Sequence, residues 1–327
     1  MEPFIPALWA RSPHIQTIFG SLRLRALGRN RMTEATLETI LDTGFGVRLL
    51  GYHSQQSGGS PKGQIILLHG WEGSSDSTYV LSAGRFFYRH GYDVFRLNLR
   101  DHGRSHALNQ GLFHGALIEE TARAVRLVSR FLPQKPSYLV GFSLGGNFAL
   151  RIAARQSQDP IGNLRRVFAI SPPLDPYKST VAIDQGPAVY RLYFLAKWKR
   201  SLREKQRLFP GLYDFEPILR LKSCMAMTEA LMSYYTEFDS YRDYFRRYTL
   251  TGEALSPIDM PTTIIAAEDD PVISTDDFRH LPANHRLDVR MQHYGGHCGF
   301  LDPFPWGCWY ERYIADVLRQ DELDGSL

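Results

Sequence analysis

Cysteine is scarce in this sequence: Cys224, Cys298 and Cys308 are three in 327 residues. They make no disulfide framework and no paired metal spacing, so a reducing cytoplasm is the expected compartment, and neither a metal nor a cofactor is expected. An excess of one charge is lacking too. The 38 basic and 34 acidic side chains leave a net charge of +4, too balanced to imply a nucleic-acid partner. No apolar run approaches the roughly 20 residues that cross a bilayer. The first residues, MEPFIPALWARSPH, have no basic stretch ahead of their apolar ones, which Pro3 and Pro6 interrupt, so no secretory leader is expected. Internal repeats are absent. What remains is a chain with 43% apolar and 22% charged residues, long enough to bury a large core as one big α/β domain with an insertion or as two ordinary domains.

Short apolar runs bounded by turn residues alternate with amphipathic segments. Residues 35 to 53 read as a hairpin around Asp42 to Gly46, and residues 11 to 20 as a surface wrap. Gln64 to Gly70 is a buried strand, followed by a Gly/Ser loop and a helix capped by Ser75 or Asp76. A strand beginning at Asp93 and a helix from Gly115 to Leu132, stopped by Pro133, come next. Ser137 to Val140 and Leu164 to Ile170 are further strands. Such alternation predicts a mostly parallel sheet covered on both faces. Between about 174 and 257 it stops, and helical spacing such as Leu195, Trp198 and Leu202 takes over. It resumes at Thr262 to Pro271 and Leu287 to His297, and a helix near Trp306 to Arg319 ends the chain. The expected division is an α/β core of residues 1–173 and 258–327 with a helical cap of residues 174–257.

The chain is organised around Pro136 to Asn147, PSYLVGFSLGGN. Here a strand turns into a helix at Ser143, flanked by Gly141 and Gly145. A nucleophile on so sharp a turn has a strained backbone, and side chains two residues before and after it would clash. The following helix points its free N–H groups to where negative charge would develop. A close-packed glycine-rich turn is the ordinary alternative.

A serine needs a base, and an imidazole serves best when a carboxylate fixes its tautomer. Among eleven histidines, His297 lies past the last strand in a GGHCG loop free to reach the sheet edge, and is the expected base. His293 reads as a packed or surface residue, and His69, His102 and His106 as loop-bonding histidines. For the acid, Glu268, Asp269 and Asp270 end a strand, and Pro271 holds Asp270 extended before a turn. Asp270 is favoured, Asp269 competes, and Asp175 is a lesser alternative. The backbone N–H groups of Leu144 and Trp71 are the expected oxyanion donors.

At this point the chain resembles the α/β-hydrolase superfamily. The residues carrying the likeness are HGWEG at 69–73, NLRDHGRS at 98–105, GFSLGGN at 141–147, EDDPVIS at 268–274 and GGHCGF at 295–300. With PHIQTIFG at 13–20, it looks like the YheT-like branch, although Asp101 and His102 stand where that branch tends to have Gly and Cys. The resemblance implies an eight-stranded, mostly parallel sheet with helices on both faces, a helical cap inserted after the sixth strand, and a triad on Ser143, Asp270 and His297. It also implies small-molecule ester or lipid substrates.

Three readings follow: a serine hydrolase of carboxylic esters acting through an acyl-enzyme, an acyltransferase passing the acyl group to an alcohol or thiol, and a non-catalytic scaffold. A metallohydrolase is disfavoured because Gly295 and Gly296 separate His293 from His297. An Asp-nucleophile hydrolase is disfavoured by the serine at the turn. Tyr177, Tyr190, Phe194, Tyr234 and Tyr235 are expected to line an apolar acyl pocket. The basic run Lys197 to Arg207 reads as a solvated helix face, with weak contact to an anionic membrane surface as the alternative.

Overall fold

The computed structural model describes residues 2–26, 28–304 and 306–323. In chain order, α1 (Pro13–Ser21) and α2 (Arg31–Glu34) precede β1 (Thr36–Gly44), β2 (Val47–Ser54) and β3 (Gln64–Leu68). Then come α3 (Thr78–Arg89), β4 (Asp93–Leu97), α4 (Ile118–Ser129), β5 (Ser137–Phe142), α5 (Leu144–Ala153) and β6 (Leu164–Ile170). Between β6 and β7 (Thr262–Ala267) lie α6 (Pro176–Gln185), α7 (Ala188–Leu208), α8 (Glu216–Leu219), α9 (Cys224–Leu231) and α10 (Tyr241–Arg246). β8 (Leu287–Gln292) and α11 (Trp309–Leu323) follow.

The eight strands form one sheet in the order β1-β2-β4-β3-β5-β6-β7-β8. β2 pairs antiparallel with both β1 and β4, and the remaining pairs are parallel. This is the mostly parallel eight-stranded architecture of an α/β-hydrolase. Buried on both faces, β3, β5 and β7 need the continuous apolar runs that made them legible. One side chain set packs Ile66, Leu68 and Leu139 against α4 and α5, and the other packs Ile65, Leu67 and Val140 against α3 and α11. After β3 the chain goes to β4 on one side, and β5 joins β3 on the other. The carboxyl ends of β3 and β5 therefore flank the switch point, where open α/β sheets leave a crevice.

Three local expectations are corrected. α3 is capped at Ser77, because the Ser75 amide is engaged by Asn98 Oδ1 (2.7 Å) and Asp76 pairs with Arg96 (3.2 Å). α4 starts at Ile118, since residues 114–118 close a tight turn in which the Leu117 N–H donates to the His114 carbonyl. Residues 11–20 do not wrap the surface. Pro13 opens helix α1, and Gln16 is fully buried, its amide donating to the Ala10 carbonyl (2.7 Å) and its oxygen accepting from Leu301 N–H (2.8 Å).

The basic run on α7 also differs from a solvated face. Lys205 is 1% exposed, and its ammonium donates to Asp101 Oδ1 (2.7 Å) and to the carbonyls of Asn109 (2.7 Å) and Gly111 (3.1 Å). This ties the inserted helix to the loop after β4. Removing one partner of such a pair strands the other charge without water. Lys205→Met is therefore expected to lower unfolding free energy by about 3–5 kcal/mol. Urea titration would check it, and adding Asp101→Asn should restore a large part of the loss.

Candidate active site

Ser143 has φ +51°, a left-handed conformation imposed by the turn from β5 into α5, while its N–H still donates to the Ile170 carbonyl (2.8 Å). The flanking glycines are sterically required. A Cβ on Gly141 would fall 2.2 Å from the Gly145 carbonyl oxygen, and one on Gly145 would fall 2.5 Å from the carbonyl oxygens of Leu68 and His69. The turn thus closes on itself and seats the N-terminus of α5 against the end of β3.

His297 Nε2 lies 2.9 Å from Ser143 Oγ, and His297 Nδ1 lies 2.9 Å from Asp270 Oδ2 and 3.1 Å from Oδ1. A carboxylate only accepts, so Nδ1 carries the proton and Nε2 has the lone pair that faces the serine hydroxyl. Asp270 is itself fixed, because its Oδ1 accepts from the N–H groups of Val272 (2.8 Å) and Ile273 (3.2 Å). Of the three neighbouring acids, this is the one the structure brings to His297. Asp269 Oδ1 accepts from Gly296 N–H (2.8 Å), and burial raises the Asp269 carboxyl. Glu268 pairs with the exposed His293 (2.9 Å). Asp175 caps α6 by accepting from Lys178 N–H (3.2 Å).

The loop after β3 is held from several sides. His69 is fully buried, with Nε2 accepting from Leu99 N–H (3.1 Å) and Nδ1–H donating to the Gly70 carbonyl (2.8 Å), and burial lowers it to about 4. It is therefore neutral and locked in one tautomer. His102 Nε2 accepts from Glu72 N–H (3.1 Å), Lys197 donates to the Glu72 carbonyl (3.1 Å), and Tyr79 Oη accepts from Gly70 N–H (3.0 Å). His106 bonds Ser201 (2.8 Å). The loop abuts the nucleophile, since a Cβ on Gly70 would sit 3.0 Å from Ser143 Cβ. The N–H groups of Trp71 and Leu144 have no acceptor among the described residues.

A residue not singled out by sequence reasoning completes the arrangement. Thr17, on α1, accepts the His297 N–H at its hydroxyl oxygen (2.9 Å) and donates to the Pro13 carbonyl (2.7 Å). Its signal was limited to its place within PHIQTIFG.

Two cavities meet at Ser143. The inner one, about 90 Å³, runs under the inserted helices and is lined by Phe113, Ile183, Phe194, Trp198, Tyr235 and Ile273. The outer one, about 300 Å³, is lined by Ile18, Leu22, Tyr79, Val189, Tyr190 and His297. Trp71 stands between them, stacked on Phe194 (centroids 5.2 Å apart) and edge-on to Trp198 (4.9 Å). Of the aromatic residues expected to line a pocket, Phe194, Tyr235 and Tyr190 do. Tyr177 stacks outside on Tyr241, and the Tyr234 hydroxyl is turned to the Asp214 carbonyl. Among the described residues no three His, Cys, Asp or Glu side chains converge as a metal site, and no helix is long and apolar enough to cross a membrane.

Comparison with known proteins agrees with this architecture. The family model described as "Alpha/beta hydrolase family" matches residues 65–306. The chain is 24% identical over 307 residues to "Putative esterase YheT" of Escherichia coli, covering 91% of this chain and 87% of that protein. It is 21% identical to a monoacylglycerol lipase of Saccharomyces cerevisiae, covering 80% of this chain and 60% of that one. In fold it is similar to the Pyrococcus furiosus esterase Pf2001, with a TM-score of 0.57, 17% identity and coverage of 90% of this chain and 96% of that one.

Proposed function

The chain belongs to the alpha/beta hydrolase family, and from that premise we propose that it is a serine hydrolase cleaving carboxylic esters through an acyl-enzyme on Ser143. The observation that carries this reading is the unbroken hydrogen-bonded line from Ser143 Oγ through His297 to Asp270. In the reaction Ser143 Oγ attacks the ester carbonyl carbon while its proton passes to His297 Nε2, and Asp270 stabilises the imidazolium. The oxyanion takes hydrogen bonds from the Trp71 and Leu144 N–H groups. Collapse breaks the acyl C–O bond, the departing alkoxide takes the proton from His297, and water activated by the same nitrogen releases the acid. The esterase names of its relatives support the reaction class.

The helices between β6 and β7 act as a cap that shields the acyl-enzyme and shapes its acyl site. A cavity of 90 Å³ has room for about three groups the size of a water or a methylene, at about 30 Å³ each. A short acyl chain, about three carbons beyond the carbonyl, fits, with the alcohol side leaving through the outer cavity.

The test is hydrolysis of 4-nitrophenyl esters from acetyl to palmitoyl, alongside labelling by a fluorophosphonate probe. The expected result is labelling of Ser143 and a kcat/KM optimum near butanoyl. A protein inert to every ester and to the probe would instead be a scaffold that retains the fold. Adding a medium-chain alcohol to the assay measures how the acyl-enzyme divides between water and an acceptor.

A further inference from the structure

A third concavity, about 920 Å³, runs between α7 and the loop after β4. Six cations line it: Arg23, Arg104, Lys197, Arg200, Arg203 and Arg207. Lys197 is spent on the Glu72 carbonyl and Arg207 on Glu204 (2.7 Å). Arg23, Arg104, Arg200 and Arg203 are exposed and make no hydrogen bond or ion pair among the described residues. The acids nearby do little to neutralise them. Asp101 is committed to Lys205 beneath the groove, and burial pushes the Glu72 carboxyl up to about 8, so it is largely protonated at neutral pH.

Unpaired arginines set around a concave wall differ from charges scattered over a convex helix face. They repel one another, and the guanidinium fork suits a phosphate. The groove also reaches the reaction site. Gly73 and Lys197 line both it and the outer cavity that contains Ser143 and His297. An ester with its acyl chain in the inner cavity directs its alcohol side through the outer cavity towards Lys197 and then into the groove.

We propose that this groove is a phosphate-binding subsite for the leaving-group side of the substrate, so that the preferred ester carries a phosphate on its alcohol or thiol portion. The proposal rests on the serine-hydrolase reading above. The bond that breaks is still the acyl C–O or C–S bond, and the P–O bonds stay intact.

Three measurements test it, the third being retention on anionic vesicles. Calorimetric titration with inorganic pyrophosphate at low salt reads the groove without catalysis. Saturable binding is expected, weakened about tenfold or more in the double variant Arg200→Ala, Arg203→Ala and by high salt. The second measurement is the ratio of kcat/KM for 1-butanoylglycerol 3-phosphate to that for 1-butanoylglycerol. The ratio should exceed about 10 in the wild type and fall towards 1 in the double variant, with circular dichroism confirming that the variant is folded. Arg155→Ala, just past the C-terminus of α5, should leave the ratio unchanged. Absence of saturable pyrophosphate binding would overturn the proposal, and so would retention on anionic vesicles without it, which would make the basic face a membrane contact. Saturable binding with a wild-type ratio near 1 would make the groove a site for free phosphate and overturn its substrate role. Pyrophosphate binding with turnover of neither ester would instead sink the hydrolase reading on which that role depends.

Discussion

Ser143→Ala is expected to lower kcat for ester hydrolysis by about a million-fold, because the serine and its base act as one unit. Ser143 Oγ is the hydroxyl that faces the unprotonated Nε2 of His297, and the left-handed backbone holds it at the mouth of both cavities. Alanine removes the attacking atom and leaves the Trp71 and Leu144 amides in place, so a slow residual rate and unchanged product binding should remain. Stability should change by less than about 1 kcal/mol, since the hydroxyl's partner is a histidine that lines the outer cavity. The measurement is single-turnover hydrolysis of a butanoyl ester, with intact protein mass to detect acylation. A variant within tenfold of the wild-type rate would remove Ser143 from the chemistry.

How much of this was legible follows from the range over which each constraint acts. Gly141, Ser143 and Gly145 announced themselves because the clash they avoid is local, within one turn of chain. His297 was legible for a similar reason, placed by Gly295 and Gly296 just past β8. Choosing Asp270 over Asp269 was harder. Both stand before Pro271, and the choice depends on the Val272 and Ile273 amides that fold back onto Asp270 Oδ1. Thr17 was out of reach, because its partner lies 280 positions away and no periodicity joins helix α1 to a loop at the far end of the chain.

Lys205 is the more instructive miss. Leu195, Trp198, Leu202 and Lys205 follow one another at spacings of three, four and three, so the lysine continues the apolar stripe of α7 and lies on its inner face. Reading the run by charge alone put Lys205 in solvent; reading it by position would have demanded a buried partner, and Asp101 is that partner. The same run thus divides. Lys205 anchors the inserted helix to the core, and Arg200 and Arg203 are left facing the groove.

Asp270→Asn should lower kcat by about ten-thousand-fold while Asp269→Asn stays within about tenfold of wild type. The orientation of the new amide decides this. In the Asp270 variant the Val272 and Ile273 N–H groups still require an acceptor, so the side-chain oxygen keeps the Oδ1 position and the NH2 group takes the Oδ2 position, 2.9 Å from His297 Nδ1. A donor there forces Nδ1 to accept, which moves the imidazole proton to Nε2. Nε2–H then points at Ser143 Oγ and cannot remove its proton, and no carboxylate remains to stabilise an imidazolium. At Asp269 the oxygen facing Gly296 N–H is retained and the amide meets no titrating partner. Steady-state kinetics on one ester with both variants gives the ranking, and the KM values should stay close to wild type because neither side chain lines the inner cavity. The opposite ranking would assign the carboxylate's role to Asp269 and would require the loop carrying His297 to turn its Nδ1 away from Asp270 during the reaction.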